Sequence, residues 1–514
     1  MITGLSSTFG EWRSLYFTGF AQYILKDRYI FYTSLNVTGT TKFGPDRRWG
    51  TFPGVSFRWN IIKEKFMEEL RPTLSTLGIR VGWGLSGNAP NRDYLYTSKY
   101  AETDAYLDMS AMRPVNIRLN NLKWETKNEY NLALELGLWN DRLRFTLDCY
   151  HNVTKDILMG HFRIPSNSGF THLDYKNDGS VKNVGWEFRI NTNKLVKVKR
   201  FQFDMNMNFG NNKNEILSMD ENLLNNLNSV FTYQNAERLQ RVQLHNPFGA
   251  IYGFRYKGVY QYNYDTFADM NEDQRNQFLA EGKTAPVAMT ADGNVILDEK
   301  GMPIRMQFGY SNDPAQIVNY KFSGGDAIYE DINHDGNINA LDIVYLGNSQ
   351  PKLTGGFGFN LSYGAWRFMA QFTYRMGNKI FNMARLNAEA MINNNNQSQA
   401  VNYRWRKEGD VTTIPRAMYG NTSNYNTLVS DRFVEDGSYL RMGYALISYA
   451  IPTKSLVHLG LSSLTFSATI NNPFVLTKYS GVDPDVRYDG YEGAVDWGQT
   501  PRARSFTATV AIGF

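Results

Sequence analysis

The sequence predicts an all-β fold in the form of a transmembrane antiparallel β-barrel with long extracellular loops. Three observations support it: the composition, the alternation of apolar and polar residues, and the lengths of the alternating runs. Of 514 residues, 32 are Tyr, 32 are Phe, 10 are Trp and 43 are Gly, which favours strands and tight turns. Several runs span about 9–11 residues, as tilted membrane strands do, whereas globular strands average nearer 5–6.

The first predicted element is a β-hairpin. Apolar or small residues occupy the odd positions of residues 15–25, Lys26 and Asp27 interrupt the run, and alternation resumes over residues 29–37. Two alternating runs joined by a very short polar turn are typical of a hairpin. Another run covers residues 55–59, and residues 61–70 are compatible with a short helix.

The later strands repeat this two-faced pattern. One face is mostly Leu, Phe, Val, Ile, Tyr and Trp, and the other is mainly Asn, Gln, Asp, Arg, Glu and Gly. The runs cover residues 77–86, 130–138, 143–150, 201–209, 357–363, 366–374, 439–451, 464–470 and 505–514. We count about 14–16 strands. The run over residues 505–514, with Phe506, Val510 and Phe514 on its apolar face, is expected to close the barrel.

Long polar stretches separate many of the predicted strand pairs. They cover residues 86–121, 211–246, 263–325 and 382–432, and they alternate with short connections. Such loops are unusual in compact soluble domains. Outer-membrane barrels have short periplasmic turns and long extracellular loops.

Alternation alone does not show whether the apolar face of a sheet points toward lipid or into a protein core. A barrel turns the apolar rows toward lipid, whereas a β-sandwich buries them between two sheets. Two hypotheses therefore stay open: an outer-membrane barrel, and a secreted all-β carbohydrate-binding or adhesive module with a calcium clip. Net charge is +5, from 54 basic and 49 acidic residues, which is too balanced to indicate nucleic acid as a partner.

A candidate calcium loop, DINHDGNINALD, covers residues 331–342. Oxygen-bearing side chains recur at alternate positions, Gly336 is sixth and an acid is twelfth, which is the spacing of a Ca²⁺-binding loop. The candidate ligands are Asp331, Asn333, Asp335, Asn337, Asn339 and Asp342. The alternative is a metal-free polar turn, because Asn and Asp around Gly are common turn residues. In either case the loop would be structural.

No motif indicates an enzyme. A G-x-S-x-G, an H-E-x-x-H and a phosphate loop are all missing from the sequence. GWGLSG at residues 82–87 matches G-x-G-x-x-G, but it ends a predicted strand and no helix follows it to receive a pyrophosphate. Several aromatic residues of the polar stretches could stack on sugars, although packing is the more common role: Tyr94, Tyr96, Tyr252, Phe254, Tyr256 and Tyr260.

Six segments, in order along the chain, resemble the SusC/RagA-type TonB-dependent outer-membrane transporters. The first three are DRYIFYTSLNVTGTTKFGPDRRWGTFPGVSFRWNI (27–61), LKWETKNEYNLALELGLWNDRLRFTLDCYHNVTKDIL (122–158) and KNVGWEFRINTN (182–193). The others are GGDAIYEDINHDGNINALDIVYLGNSQPKLTGGFGFNLSY (324–363), DGSYLRMGYALISYAIP (436–452) and NNPFVLTKYSGVDPDV (471–486). Nearly the whole chain is covered.

This resemblance implies an importer in the outer membrane of a Gram-negative bacterium. Such transporters are 22-stranded barrels plugged by an N-terminal domain, and a SusD-like surface lipoprotein covers them. Their substrates are oligosaccharides or, in the RagA branch, peptides, and the TonB complex powers uptake by pulling on an N-terminal segment.

We expect residues 1–514 to correspond to the C-terminal barrel portion of such a protein. By the resemblance, the signal peptide, the carboxypeptidase-like domain, the TonB-contacting segment, the plug and the first strands lie outside this sequence. The expected chain is therefore a partial barrel, not competent for transport alone.

Overall fold

The computed structural model describes residues 10–106, 109–164, 166–228, 242–309, 320–419, 425–456, 458, 460–487 and 493–514. One antiparallel sheet of 15 strands dominates the described part of the chain. In 13 of them, each strand pairs with the next one along the chain, which is the up-and-down order of a barrel wall. The predicted number of about 14–16 strands is confirmed.

The 13 strands of this path are named β1 to β13. In order they are Ser14–Leu25, Tyr29–Thr40, Trp49–Trp59, Leu74–Asn88, Glu125–Leu138, Leu143–Lys155, Ser180–Thr192, Phe201–Ser218, Leu353–Tyr363, Trp366–Met376, Tyr439–Ala450, Ser463–Asn471 and Ser505–Gly513. Two short strands, Val196–Val198 and Val475–Thr477, pair with β8 and β11.

Smaller elements lie in the connections. The α-helices are Glu221–Leu227, Tyr264–Ala268, Glu272–Ala280, Met383–Glu389 and Thr453–Leu456. The short strands are Tyr100–Tyr106, Met109–Pro114, Leu158–Arg163, His172–Asn177, Ala250–Gly253, Tyr256–Val259, Gln307–Phe308, Tyr320–Lys321, Ala327–Tyr329, Asn337–Ile338, Val344–Asn348, Lys379–Phe381 and Val434–Asp436. Among the described residues, no α-helix is both long and apolar enough to cross a bilayer.

The β1–β2 hairpin shows how the sequence sets the register. Leu25 lies opposite Tyr29 and Ser14 opposite Thr40. Lys26 and Asp27, in the three-residue turn 26–28, adopt φ of 53° and 54°, the left-handed conformation that is common in tight hairpin turns. Because side chains alternate with a period of two, this register places all the odd apolar residues of β1 on one face.

Short and long connections occur at opposite ends of the sheet. The short ones are residues 26–28, 60–73, 139–142, 193–200, 364–365 and 451–462. The other end carries residues 41–48, a connection of only 8 residues, and five connections that are longer than any of these: residues 89–124, 156–179, 219–352, 377–438 and 472–504. The predicted sidedness of the connections is thus present in the structure, and it is that of an outer-membrane barrel.

The longer connections pack together into a layer with hydrophobic cores of its own, here called the loop layer. Its largest core joins residues 219–352, through Phe254, Phe308 and Phe322, to residues 377–438, through Tyr425 and Leu428. Another core joins Ile380 to residues 472–504 through Tyr479, Val486 and Ala494. These segments were predicted only as polar stretches, so their folded cores correct that prediction.

Two boundaries also differ from the prediction. Strand β8 continues from Phe201 to Ser218, well past the predicted end at residue 209. Its added part is rich in Asn because it lies beyond the apolar zone, and Ile216 at its end is buried in the loop layer. Residues 61–70, predicted as compatible with a single short helix, form two 3₁₀-helices, Ile61–Lys63 and Lys65–Leu70, which Glu64 separates.

We predict that the isolated chain gives no heat-modifiable band on a gel after refolding in detergent. No pairing joins β1 to β13 among the described residues, so each edge strand presents unpaired backbone groups, which lipid and detergent tails cannot satisfy. Semi-native electrophoresis of boiled and unboiled samples measures this, with a complete outer-membrane barrel as control. A stable, fast-migrating folded band would contradict the prediction.

Candidate functional site

The sheet has one apolar face, called the outward face. Its large side chains are strongly exposed in the chain by itself, for example Phe17 at 56%, Leu132 at 50% and Phe506 at 76%. Contiguous exposed apolar surface of this extent marks contact with a membrane or another protein. A sandwich would have buried these rows, so the structure favours the barrel over the secreted module.

The opposite face, called the inward face, carries paired charges. Arg58 and Arg80 lie directly opposite each other on β3 and β4, where like charges repel. Arg58 reaches Glu135 on β5 through two hydrogen bonds of 3.2 and 2.9 Å. Arg80 reaches Asp148 on β6 at 3.0 Å. The two arginines therefore diverge, each neutralised by a carboxylate two strands away.

Small residues allow these long side chains to cross a strand. Gly78 lies opposite Glu135 on the strand between Arg58 and its partner. Ala133, which is fully buried, lies between Arg80 and Asp148 in the same way. A larger side chain at either position would occupy the path of the guanidinium group.

A polar groove of about 520 Å³ follows the inward face across β4 to β8. It contains three basic and three acidic side chains, and these form the ion pairs Lys127–Glu129 and Arg189–Glu187, both at 2.7 Å, and Arg80–Asp148. Amide groups of Asn131, Asn152, Asn183 and Asn212 complete the wall. The groove is therefore rich in hydrogen-bonding groups without net charge, which suits a neutral polar solute.

Buried ion pairs hold the loop layer together. Glu389 accepts hydrogen bonds from Arg385 at 2.8 Å and from Arg432 at 2.6 Å. The side chains of Arg432 and Glu389 are only 5% and 3% exposed. A second network joins Asp326 to Arg416 and Tyr320. Burial, with the Asp326 carboxylate beside it, raises the pKa of the Tyr320 phenol, which keeps this hydroxyl protonated as a donor.

The candidate calcium loop is folded around its own carboxylates. Asp331 accepts hydrogen bonds from the backbone amides of Gly336 at 2.8 Å and Asp335 at 3.3 Å. Asp342, which is fully buried, accepts from Ile332 and Asn339, both at 2.8 Å. A carboxylate has about four acceptor positions, so these bonds leave capacity for a cation.

The remaining candidate ligands behave differently. Asn333 donates to Asp335, Asn339 caps the next turn by accepting from Leu341, and the Oδ1 of Asn337 is buried without a hydrogen-bond partner. In the part of the chain that the structure describes, no group of three or more His, Cys, Asp or Glu side chains converges to hold a metal ion. Calcium binding by this loop stays a prediction.

Burial and mutual repulsion disfavour the ionised forms of the carboxylates in the candidate calcium loop. Burial raises the pKa of Asp342 to about 6, with Asp331 and Asp335 adding to the effect. Burial and the neighbouring Asp335 also raise the pKa of Asp331. A bound cation would favour the ionised forms of both groups.

The other candidates from the sequence lie in a paired strand or in buried cores, where they have structural roles. Gly82, Gly84 and Gly87 lie within β4, which is paired on both sides, as predicted for a chance match to the nucleotide motif. Of the aromatic residues considered for sugar stacking, Tyr252, Phe254 and Tyr260 are buried in the loop layer, which confirms a packing role for them. Sequence reasoning missed the arginine crossings, because the partners are far apart along the chain.

Comparison with known proteins places the chain in a family. Residues 13–292 match the family described as TonB dependent receptor-like, beta-barrel. The chain belongs to this family of outer-membrane receptors and transporters, and it is a Gram-negative outer-membrane protein.

Two curated relatives match over nearly the whole chain. TonB-dependent receptor P39 of Formosa agariphila is 28% identical over 94% of this chain and 44% of its own length. TonB-dependent receptor SusC of Bacteroides thetaiotaomicron is 27% identical over 96% of this chain and 43% of its own length. The chain thus spans a little under half the length of these relatives.

A solved structure confirms the fold. The RagAB peptide transporter superposes with a TM-score of 0.73 at 19% identity, covering 98% of this chain and 48% of that one. The predicted resemblance to SusC/RagA-type transporters is confirmed.

We predict that Asp331→Ala combined with Asp335→Ala removes about one bound calcium per chain and makes residues 331–342 more sensitive to protease. The double change removes two of the carboxylates that a Ca²⁺ loop needs. Metal analysis and limited proteolysis with and without chelator measure the two effects. Asp298→Ala is the control, because Asp298 accepts from the amides of Lys300 and Met302 in a turn without this spacing. Unchanged metal content and proteolysis would show that the loop is only a polar turn.

We predict that Glu389→Ala destabilises the loop layer by about 3–5 kcal/mol, because it leaves the buried Arg432 without its carboxylate. Hydrogen exchange across residues 377–438 measures local opening. The control Glu281→Ala breaks an exposed pair with Lys283, and we expect it to leave exchange across residues 377–438 unchanged. Equal exchange in the two variants would contradict a stabilising role for the buried pair.

Proposed function

We propose that this chain forms the barrel wall and loop layer of an outer-membrane importer of oligosaccharides or peptides, driven by TonB and working with a SusD-like surface lipoprotein. The observation that carries the proposal is the opposition of two faces on one wide sheet. The outward face suits lipid, the inward face is polar and neutralised, and all the long connections lie at one end.

The inward face supports transport of a polar solute. Its charges are paired within the wall, as in Arg58–Glu135 and Arg80–Asp148, so a solute meets hydrogen-bonding groups without a strong single-sign field. Lumen side chains tune selectivity in barrels of this kind. Uptake of a neutral or zwitterionic polar molecule fits this surface.

The loop layer supports the proposed lipoprotein partner. Its cores, as around Phe254 and Phe433, are packed independently of the membrane sheet. A folded layer of this kind offers a fixed surface on which a lid protein can dock.

We predict that deleting the gene in its host abolishes uptake of one class of labelled oligosaccharide or peptide, and that deleting TonB has the same effect.

Asn131→Trp, on the inward face within the polar groove, should lower uptake several-fold by obstructing the passage. Leu132→Trp, on the adjacent outward-facing position that is 50% exposed, should leave uptake unchanged. A surface lipoprotein should co-purify in mild detergent.

Uptake that persists without the gene, or without TonB, would contradict the proposed import. Uptake that depends on both, with no lipoprotein co-purifying, would contradict only the partnership. Equal uptake by the two tryptophan variants would show that the inward face is not the route.

A further inference from the structure

A second groove, here called the rim groove, lies on the inward face where β1 to β4 reach the loop layer. Its volume is about 400 Å³, within the range of about 300–1,000 Å³ that small-molecule sites occupy. Aromatic rings and neutral polar side chains share its lining, which includes Trp12, Tyr16, Asn36, Phe52, Asn88 and Trp124.

The floor of the rim groove is a pair of packed aromatic rings. Phe52 is 7% exposed and meets Trp124 edge to face, with ring centroids 5.5 Å apart. The ring of Phe52 fits only because Gly50 and Gly87 have no side chains. A Cβ added at Gly87 or at Gly50 would overlap the ring of Phe52.

Further contacts fix Trp124, the second ring of the floor. The indole N–H of Trp124 donates to the carbonyl of Arg48 at 3.3 Å, and its ring lies 5.0 Å from the buried Phe43. Phe43 in turn belongs to the core of the loop layer with Leu95 and Leu122. The floor is therefore a rigid part of the fold.

The sides of the groove present two exposed rings. Trp12 is 52% exposed and Tyr16 is 66% exposed. The ammonium group of Lys42 lies 4.8 Å from the centroid of Trp12, which holds that ring by a cation–π contact. Lys42 itself donates to the carbonyl of Pro90 at 3.1 Å and pairs with Asp93 at 3.8 Å.

Neutral hydrogen-bonding groups lie beside these rings. Asn36 accepts from Thr18 at 2.9 Å through its oxygen, which leaves its amide N–H groups for a ligand. Asn88 donates to Glu125 at 2.9 Å, which leaves its oxygen as an acceptor. Among the described residues that line the groove, Lys42 is the one charged residue, and its ammonium pairs with Asp93.

We propose that the rim groove binds a neutral oligosaccharide, with a sugar ring against Trp12 or Tyr16 and its hydroxyls bonded to Asn36 and Asn88. A sugar ring has an apolar C–H face and a rim of hydroxyl groups. The C–H face matches the negative face of an aromatic ring, and the hydroxyls match side-chain amides. This inference rests on the proposed import function and selects a glycan as its substrate class.

The lack of charge on a neutral glycan is the property that favours it in this groove over a peptide with free termini or an anion. A peptide with free termini, or an acidic sugar, needs at least one unpaired counter-charge to replace lost hydration. The described part of the lining supplies none, since the ammonium of Lys42 pairs with Asp93 at 3.8 Å. An uncharged glycan loses no ionic hydration on entering.

The test is a binding screen of the outer-membrane protein, purified from its host in detergent, against an array of neutral and acidic oligosaccharides and a set of peptides. We expect a neutral glycan to bind, with at least tenfold weaker binding after Trp12→Ala or Tyr16→Ala. Phe17→Ala is the matched control, because Phe17 is the neighbour of Tyr16, projects from the outward face and contacts Trp49. That variant should bind as tightly as the wild type.

Three results would overturn the inference: no glycan binds, peptides or acidic glycans bind in preference, or the Trp12 and Tyr16 variants bind the glycan as well as the Phe17 variant does. Each of these leaves the import proposal standing if uptake still depends on the gene and on TonB. Loss of that dependence, with glycan binding retained, would overturn the import proposal and leave the binding site in place.

Discussion

Backbone hydrogen bonding in a medium without water is the constraint on which this structure depends. Lipid offers no partner for an exposed N–H or C=O group, so the chain satisfies these groups between neighbouring strands. The order from β1 to β13, each strand beside the next in sequence, achieves this by pairing successive strands antiparallel to one another. It also fixes which residues face each way, because the register of β1 against β2 places every odd residue of β1 on the same side.

The inward face shows how one surface of the sheet accommodates charged side chains. Arg58 and Arg80 stand opposite each other, and the wall tolerates them because Gly78 and Ala133 leave paths to Glu135 and Asp148. Charges that are paired within the wall do not bind a passing ion strongly. The result is a surface that offers many hydrogen bonds and little net field, on which the proposed transport of neutral solutes depends.

The loop layer follows a different logic from the sheet. Outside the bilayer the hydrophobic effect operates again, and residues such as Phe254, Phe308 and Phe433 are buried completely. Buried pairs such as Arg432–Glu389 then fix one connection against another. The rim groove lies where the membrane sheet meets the loop layer. Its floor, Phe52, comes from a strand, and Trp124, packed beside it, comes from a connection.

Period-two alternation, together with the lengths of the alternating runs and of the polar stretches between them, predicted the class of fold, the approximate number of strands and the separation of short from long connections. It did so because one residue's direction in a strand fixes that of its neighbours. It failed past Phe209, where β8 continues through asparagines, because strand pairing outside the apolar zone needs no alternation. Only the tertiary structure decided the crossing of Arg58 to Glu135, the cores of the loop layer and the meeting of Trp12, Tyr16 and Trp124. These contacts join residues from different strands and connections, and no local pattern in the sequence encodes such distances.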